Sequence, residues 1–430
     1  MARIAVIGAG WAGLSAAVES TRLGNQVRVF EMAHAPGGRA RSLAHGDLLL
    51  DNGQHILIGA YRDTLALMRT VGADPERSLL RLPLTLCYPD GSGLRLPAGP
   101  ALPAFLVGVL RWHEVPAWDR WRFLLMAAGW RLRGFRCDPA WSVATLCAHA
   151  PQSVMRSLIE PLCVAALNTP ADAASAQVFL TVLRDGLFSA RGGSDLLLPR
   201  RPLQQLLPEP AQRWLQAQGA EWTSGHRVQE LAAPSRPDGA WLVDGIQFDG
   251  VIVATPASEA ARLIKPWAPA WAEQAQALRY EPIVTVWIHA PHARWPEPIM
   301  AFAAGDAEPA QFGFDLGALG GPADTYALVI SGAARWVAAG LEASAHAVLQ
   351  QLAKAFSAAP AQWDPRNATV TATRAEKRAT FACTPMLGKP EAAPRAGLRV
   401  AGDYIAGPYP ATLEAAVRSG LAAANSVMAA

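Results

Sequence analysis

A chain of 430 residues, 51% hydrophobic and 17% charged, is long enough for two globular cores, and its formal net charge of +3 gives no electrostatic case for a nucleic-acid partner. Its five cysteines (Cys87, Cys137, Cys147, Cys163 and Cys383) are scattered with no CxxC pair, so they imply neither a disulfide framework nor a metal site and fit a reducing compartment. No stretch reaches the roughly 18–20 uninterrupted apolar residues of a spanning helix; the nearest run, PALPAFLVGVL from Pro100, is short and holds two prolines.

The first element is RIAVIGAGWAGLSAA, Arg3–Ala17. A basic residue before a short apolar run suits a secretory leader, and equally the first strand and helix of a nucleotide-binding fold. Ile4–Ile7 reads as a strand buried on both faces. Gly8, Gly10 and Gly13 follow in GxGxxG spacing, with Trp11 and Ala12 between them. Such glycines serve a tight turn, close backbone approach to a pyrophosphate, and helix–strand packing. A helix is expected over Leu14–Leu23 with a stop at Gly24, then a strand QVRVFE ending at Glu31, an acid placed to accept hydrogen bonds from an adenosine ribose. Strand, glycines, helix, strand and acid in one unit select the dinucleotide fold, and the opening strand is then expected in the mature fold.

The next stretch, APGGRARS, argues for FAD over NAD. Gly37 and Gly38 allow close backbone approach, and Arg39 and Arg41 can pair with pyrophosphate oxygens. Residues 111–136 interleave tryptophan with arginine. On a helical wheel Trp118, Trp121, Leu125, Ala128 and Leu132 share one face, and Phe123, Met126 and Trp130 another. Arg120 and Arg131 run along one seam between the faces, and Arg122 and Arg133 along the other. One face suits the protein core and the other suits lipid headgroups.

Further on, a strand around Arg227–Leu231 would offer the backbone of Val228 to an adenine, and FDGVIVATP (Phe248–Pro256) reads as a buried strand returning to the nucleotide-binding sheet. IVTVWIHA from Ile283 and TYALVIS from Thr325 read as strands, Ala338–Phe356 as one long helix, and APSRPDG and HARWPEP as turns. At the C-terminal end, strand Leu398–Ala401 leads to Gly402 and Asp403, and a helix starts near Thr412 and Leu413. Asp403 can accept from ribityl hydroxyls, and the helix N-terminus suits the negative edge of a reduced flavin. Glu414 and Ser419 read as ordinary helix residues.

These three motifs together resemble the flavin-containing amine oxidase and phytoene desaturase superfamily. Within it, EPLCVAALNTP (Glu160–Pro170), ASAQVFLTVLRDGLF (Ala174–Phe188), SDLLLPRRPLQQLLPEPA (Ser194–Ala211), DNGQHILIGAY (Asp51–Tyr61) and EKRATFACTPMLGKP (Glu376–Pro390) resemble the hydroxysqualene dehydroxylases of hopanoid biosynthesis. The resemblance implies an α/β fold: a discontinuous Rossmann-like FAD-binding domain (1–85, 195–260 and 393–430) with a mixed α+β substrate domain (86–194 and 261–392). A membrane-contacting segment is expected at 100–136. It implies non-covalent FAD, since no cysteine lies in the last motif, and a long-chain isoprenoid substrate. The implied reaction is reductive: hydroxysqualene loses its allylic hydroxyl and gains hydride from reduced flavin, giving squalene. An unidentified electron donor must reduce the flavin. By family position His55 runs near the flavin ring as an acid or orienting group, with Asp51 to orient it; Asn168 and Thr169 are weaker polar candidates. A cytoplasmic location at the inner face of the cytoplasmic membrane follows. The alternatives are an oxidative isoprenoid desaturase, an amine oxidase, and a prenyl-lipid binding protein without redox chemistry.

Overall fold

A computed structural model of the chain describes residues 1–188, 191–234, 239–358 and 363–428. Strand Arg3–Ile7 lies at the centre of a five-stranded parallel sheet of order 221–223, 26–30, 3–7, 250–253, 398–400. Parallel sheets need cover on both faces, so their strands are apolar throughout. Ile4, Val6, Val27, Val29 and Ile252 pack on helices Trp11–Arg22, Pro208–Ala217 and Leu413–Ser426. Ala5, Ile7, Val251 and Val253 face the other way, toward Trp241, Phe248 and helix Ala257–Ile264.

The first helix begins at Trp11, a turn earlier than Leu14, because Gly10 is already extended and serves as its N-cap. It ends at Arg22, with Gly24 at φ +81° turning the chain. Its position depends on missing side chains. A Cβ on Gly13 would lie 1.8 Å from the carbonyl oxygen of Gly8, and one on Gly420 would lie 2.2 Å from that of Ala12. The helix therefore touches the strand turn and the C-terminal helix backbone to backbone.

The strands of the parallel sheet come from the stretches 1–85, 195–260 and 393–430. A second, antiparallel sheet has the order 299–301, 312–315, 325–330, 280–289, 369–381, all from within 261–392. Alternation divides its faces. Val284, Val286 and Ile288 pack on helix Leu341–Ala355, whereas Trp287, Phe312, Phe314 and Ala372 face the main core. The single helix expected over 338–356 is instead two, Ala334–Ala339 and Leu341–Ala355, broken at Gly340 with φ +102°. Of the two expected turns, residues 235–238 of APSRPDG lie outside the described residues. HARWPEP turns at His292 (φ +69°), but its Trp295 packs among Tyr326, Phe356 and Trp363, 4.7–6.4 Å between ring centres.

A helical layer over 101–187 completes the molecule. Helices Ala101–Leu110, Ala117–Leu132, Glu160–Leu167 and Ala176–Leu187 surround a cavity lined only by apolar side chains, among them Leu96, Phe105, Phe123, Trp130, Phe179 and Leu187. Its free space is about 20 Å³, enough for one water but offering it no hydrogen-bond partner, so the cavity is dry. Helix Ala117–Leu132 has two apolar faces. Phe123, Ala127 and Trp130 line the cavity, whereas Trp118 (71% exposed), Trp121, Leu125, Ala128 and Leu132 (88% exposed) face solvent. Leu106 and Leu110 of the neighbouring helix extend the outer face. At the seams, Arg120 donates to the carbonyl of Leu110 and Arg122 to that of His149 at 2.9 Å. Among the described residues, no helix is long and apolar enough to cross a membrane.

Gly420→Ala forces a methyl into the backbone of the first helix, a misfit of about 1–3 kcal/mol or more, and is expected to lower the unfolding midpoint and the bound flavin together. Gly129→Ala, whose methyl meets only the Arg133 guanidinium at 3.6 Å, is expected to leave both unchanged or raise stability slightly. Thermal unfolding and flavin absorbance after gel filtration check the pair.

Candidate functional site

The crevice at the carboxyl ends of the parallel strands is where such sheets bind dinucleotides. Gly8 enters it with φ +102°, and Gly10 meets the bare Cα of Gly38, where a Cβ on Gly38 would come within 3.1 Å. The two glycine loops are bridged, with the Gly37 N–H donating to the Ala9 carbonyl at 2.8 Å. Trp11 locks the second loop through Nε1 to the Ala40 carbonyl. The first-turn N–H groups of Ala12 and Gly13 have no acceptor among the described residues, and Gly10 supplies no side-chain cap. A helix N-terminus left open in this way attracts an anion. Glu31 is buried; its carboxylate accepts from Ala9 N–H at 2.6 Å and Ala33 N–H at 2.7 Å, which orients it at the end of its strand and leaves lone pairs for a ribose.

Beside it, the C-terminal helix starts at Leu413 with Thr412 as N-cap, whose hydroxyl accepts from Ala415 N–H. The N–H groups of Leu413 and Glu414 have no acceptor among the described residues. Asp403 is buried and receives both bonds from one terminal nitrogen of Arg39, at 2.6 and 2.7 Å. The other terminal nitrogen of Arg39 donates to the Ala379 carbonyl at 2.7 Å. Arg39, expected on the pyrophosphate, is thus tied to Asp403 and to the long strand 369–381. The guanidinium of Arg41 has no hydrogen-bond partner among the described residues and remains available to an anion.

Glu414 and Ser419 are not ordinary helix residues. Buried Glu414 accepts from the N–H groups of Asp63 and Thr64 and from the Thr64 hydroxyl, capping helix Arg62–Thr70, and burial pushes its carboxyl pKa up. Ser419 accepts from Gly402 N–H at 2.9 Å and fixes the turn that carries Asp403. Val228 is buried but lies in no strand, because Asp244 takes the N–H groups of Gln229 and Glu230 at 3.0 and 2.8 Å and a strand forms only at Leu231–Ala232. Its carbonyl accepts from Arg262 at 2.5 Å.

His55 and Asp51 do not form a pair. Asp51 accepts from the Ser42 hydroxyl at 2.6 Å and from Leu203 N–H at 2.9 Å, holding helix Leu203–Leu206 against the hairpin 42–51. Burial lifts its carboxyl to about 6. His55 contacts the Gly53 carbonyl through Nδ1 at 3.2 Å; a carbonyl only accepts, so Nδ1 carries the hydrogen. Burial, then the Arg39 charge, hold its pKa below the ordinary imidazole range, opposed by the Gly53 bond. Its Nε2 has no hydrogen-bond partner among the described residues, and the Gly53 bond fixes the orientation of the ring. Asn168, the left-handed cap of helix Glu160–Leu167, bonds Glu281, Thr380 and Gly332, and Thr169 bonds Leu167 and Cys383. Both tie the helical layer to the antiparallel sheet.

The residues fit a flavin dinucleotide. Two open helix N-termini face one crevice, bare glycine backbone lines it, and the Thr255 hydroxyl at its floor is buried without a partner. A Cβ on Gly8, Gly13 or Gly38 would run into facing backbone, so the cradle is kept open by their bare Cα atoms.

A carboxyl whose folded pKa is about 6 holds its proton more tightly than in the unfolded chain, so it favours folding at low pH and loses that contribution as pH rises from about 4 to 6. Asp51→Asn mimics the protonated form. Its stability relative to the parent is expected to rise by ~1–3 kcal/mol between pH 4 and pH 7, read by urea unfolding at each pH.

Residues 11–428 match the family described as flavin containing amine oxidoreductase. The chain is 29% identical over 446 residues to hydroxysqualene dehydroxylase of Rhodopseudomonas palustris, covering 99% of this chain and 98% of that one. It is 26% identical to the Sinorhizobium fredii protein of the same name (98% and 97%), and 25% identical to zeta-carotene desaturase of Synechocystis over 60% of this chain and 56% of that one. Among solved structures, an oxidoreductase from Methanosarcina mazei superposes with a TM-score of 0.72 at 17% identity, covering 98% of this chain and 100% of that one. Cyclohexylamine oxidase of Brevibacterium oxydans gives 0.67 at 18% identity, with 99% and 98% covered. The chain therefore belongs to the flavin containing amine oxidoreductase family, with that family's FAD-binding fold, and is an FAD-dependent oxidoreductase.

Proposed function

We propose that the chain removes the allylic hydroxyl of hydroxysqualene reductively and yields squalene. The observation that carries this reading is the cavity beneath helix Ala117–Leu132, whose fourteen lining residues present no polar surface. An amine would need a carboxylate or an acceptor there; a polyisoprenoid needs only dispersion and exclusion of water. The side chains nearly close the cavity, so a thirty-carbon chain must part them on entering. When bound and reduced, FAD supplies hydride from N5.

The chain's own residues hold and orient. Gly8, Gly10, Gly13 and the open N-terminus at Ala12 suit the pyrophosphate, Glu31 the ribose, and Asp403 with the helix at Leu413 the ribityl–flavin end. Val228 offers a backbone N–H toward the adenine end. His55 orients at the ring. An external two-electron donor returns the cofactor to its reduced form. In an anaerobic test, flavin reduced by dithionite is mixed with hydroxysqualene; reoxidation matched one for one by squalene is expected. Reoxidation without squalene, or oxidised protein turning over phytoene or an amine instead, would overturn the reading.

The substrate lives in a bilayer, and the outer face of helix Ala117–Leu132 suits that source. Trp118 and Trp121 favour the headgroup region, Leu125 and Leu132 the acyl boundary, and the flanking arginines anionic phosphates. The chain then sits on the cytoplasmic face of the membrane, with the cavity directly under the contacting helix. Trp118→Glu combined with Leu125→Glu is expected to release the protein from vesicles containing anionic phospholipid in a flotation assay, with flavin content unchanged. Undiminished flotation would remove this helix from membrane contact.

A further inference from the structure

The C-terminal helix opens the N–H groups of Leu413 and Glu414 on the crevice, yet it carries an acid in that same first turn. A carboxylate so placed is drawn to its own helix end, where free N–H groups and the positive dipole attract it. Glu414 turns the other way. Its Oε1 accepts from Asp63 N–H at 3.1 Å, and its Oε2 from Thr64 N–H at 2.9 Å and the Thr64 hydroxyl at 2.7 Å. All three donors belong to the first turn of helix Arg62–Thr70, whose own N-cap, Tyr61, makes no side-chain capping bond. The negative charge of one helix is thus taken up by the N-terminus of another.

Two groups that could hold the carboxylate on its own helix are engaged elsewhere. The Thr412 hydroxyl accepts from Ala415 N–H at 3.1 Å. Arg418, four positions on and within reach along the helix surface, pairs with Asp63 at 3.4 Å and donates to the Tyr409 hydroxyl at 3.0 Å. Thr64 and Glu414 are both buried, so the arrangement belongs to the packing of the two helices. Burial raises the carboxyl pKa against the bonds from Thr64 and Asp63, and the Asp63 charge adds to the rise. The Tyr61 phenol, itself raised by burial, is the other titratable group facing it.

We propose that Glu414 is a positioning residue for the cofactor: Thr64 and Asp63 draw its charge off the crevice and leave the helix end at Leu413 free for the negative charge of the dinucleotide. The assignment rests on the reading that this helix end meets FAD, and it holds whichever substrate the flavin serves. A carboxylate released to its own first turn would occupy the same N–H groups and repel an anion beside them.

The test titrates flavin-free protein of the full chain with FAD at pH 8, where the carboxyl is ionised, each variant first shown folded by circular dichroism. Glu414→Asp is one methylene too short for Thr64 and returns the charge to its own helix. Glu414→Asn has the same shape without the charge. At low salt Glu414→Asp is expected to bind FAD at least ~10-fold more weakly than Glu414→Asn, a gap that narrows as salt is added. Equal affinities overturn the assignment, since a purely structural cap is lost in both. Should these variants fail to fold, Thr64→Val alone and Thr64→Val with Glu414→Gln repeat the comparison. The double variant is then expected to bind FAD more tightly than the single one, and equal or weaker binding overturns the assignment.

Leu413→Pro tests the underlying reading. Proline is tolerated at the first helical position, and Thr412 already has the extended backbone that a residue before proline adopts, so one N–H is removed without breaking the helix. Several-fold weaker FAD binding is expected. If affinity is unchanged, the helix end does not meet the cofactor and both readings fall. If Leu413→Pro weakens binding while Glu414→Asp and Glu414→Asn agree, only the role of Glu414 falls.

Discussion

Backbone contact without side chains at the first helix is the constraint on which the rest depends. Gly13 lets that helix sit against the turn at Gly8, and Gly420 lets the C-terminal helix sit against the first helix at Ala12. The two helix N-termini then open on the same crevice from neighbouring helices on one face of the sheet, and their uncompensated N–H groups make it a site for anions. A methyl at either position would separate the elements by more than a hydrogen bond can tolerate. The crevice exists because three glycine-bearing segments, distant in sequence, are allowed to touch.

Arg39 performs a second kind of joining. It links Asp403 on the parallel-sheet side to the Ala379 carbonyl on the antiparallel sheet, while Asn52 bonds both the Arg39 carbonyl and Glu376. Asn168 and Thr169 do the same between the helical layer and the end of that strand. Polar side chains that a sequence presents as candidates for chemistry are used here as fastenings between layers. Burying such groups unpaired would cost more than pairing them gains, so each is satisfied.

What could be read in advance was local. The turn at Gly8, the helix start after Gly10, the strand ending before Glu31 and the cap at Thr412 are announced within about twenty residues of chain, since turn geometry, cap chemistry and strand burial are short-range effects. The two-faced helix was equally legible from its period, with Trp118 and Leu125 outward and Phe123 and Trp130 inward. The roles of Glu414 and Asp51 were not, because their partners lie 350 and 152 residues away. Nothing near Asp51 signals that it caps a helix at Leu203. The strand expected at Val228 failed for a similar reason: Asp244, some fifteen positions on, captures the N–H groups that a ladder would have used. Periodicity sees a residue's own element, and hydrogen-bond competition comes from whatever the fold brings alongside.

The helix Ala117–Leu132 carries a consequence for the energetics of substrate exchange. Its inner face borders an apolar cavity and its outer face exposes tryptophan and leucine, so two apolar surfaces lie one helix thickness apart. Were the proposed membrane contact made, a hydrocarbon crossing that wall would gain and lose no hydration, and partition between lipid and cavity would be nearly neutral in free energy. In the proposed reaction, product and reactant differ by a single hydroxyl on thirty carbons. In that scheme the one polar group biases the exchange, since lipid keeps it at its surface and the apolar cavity offers it no partner.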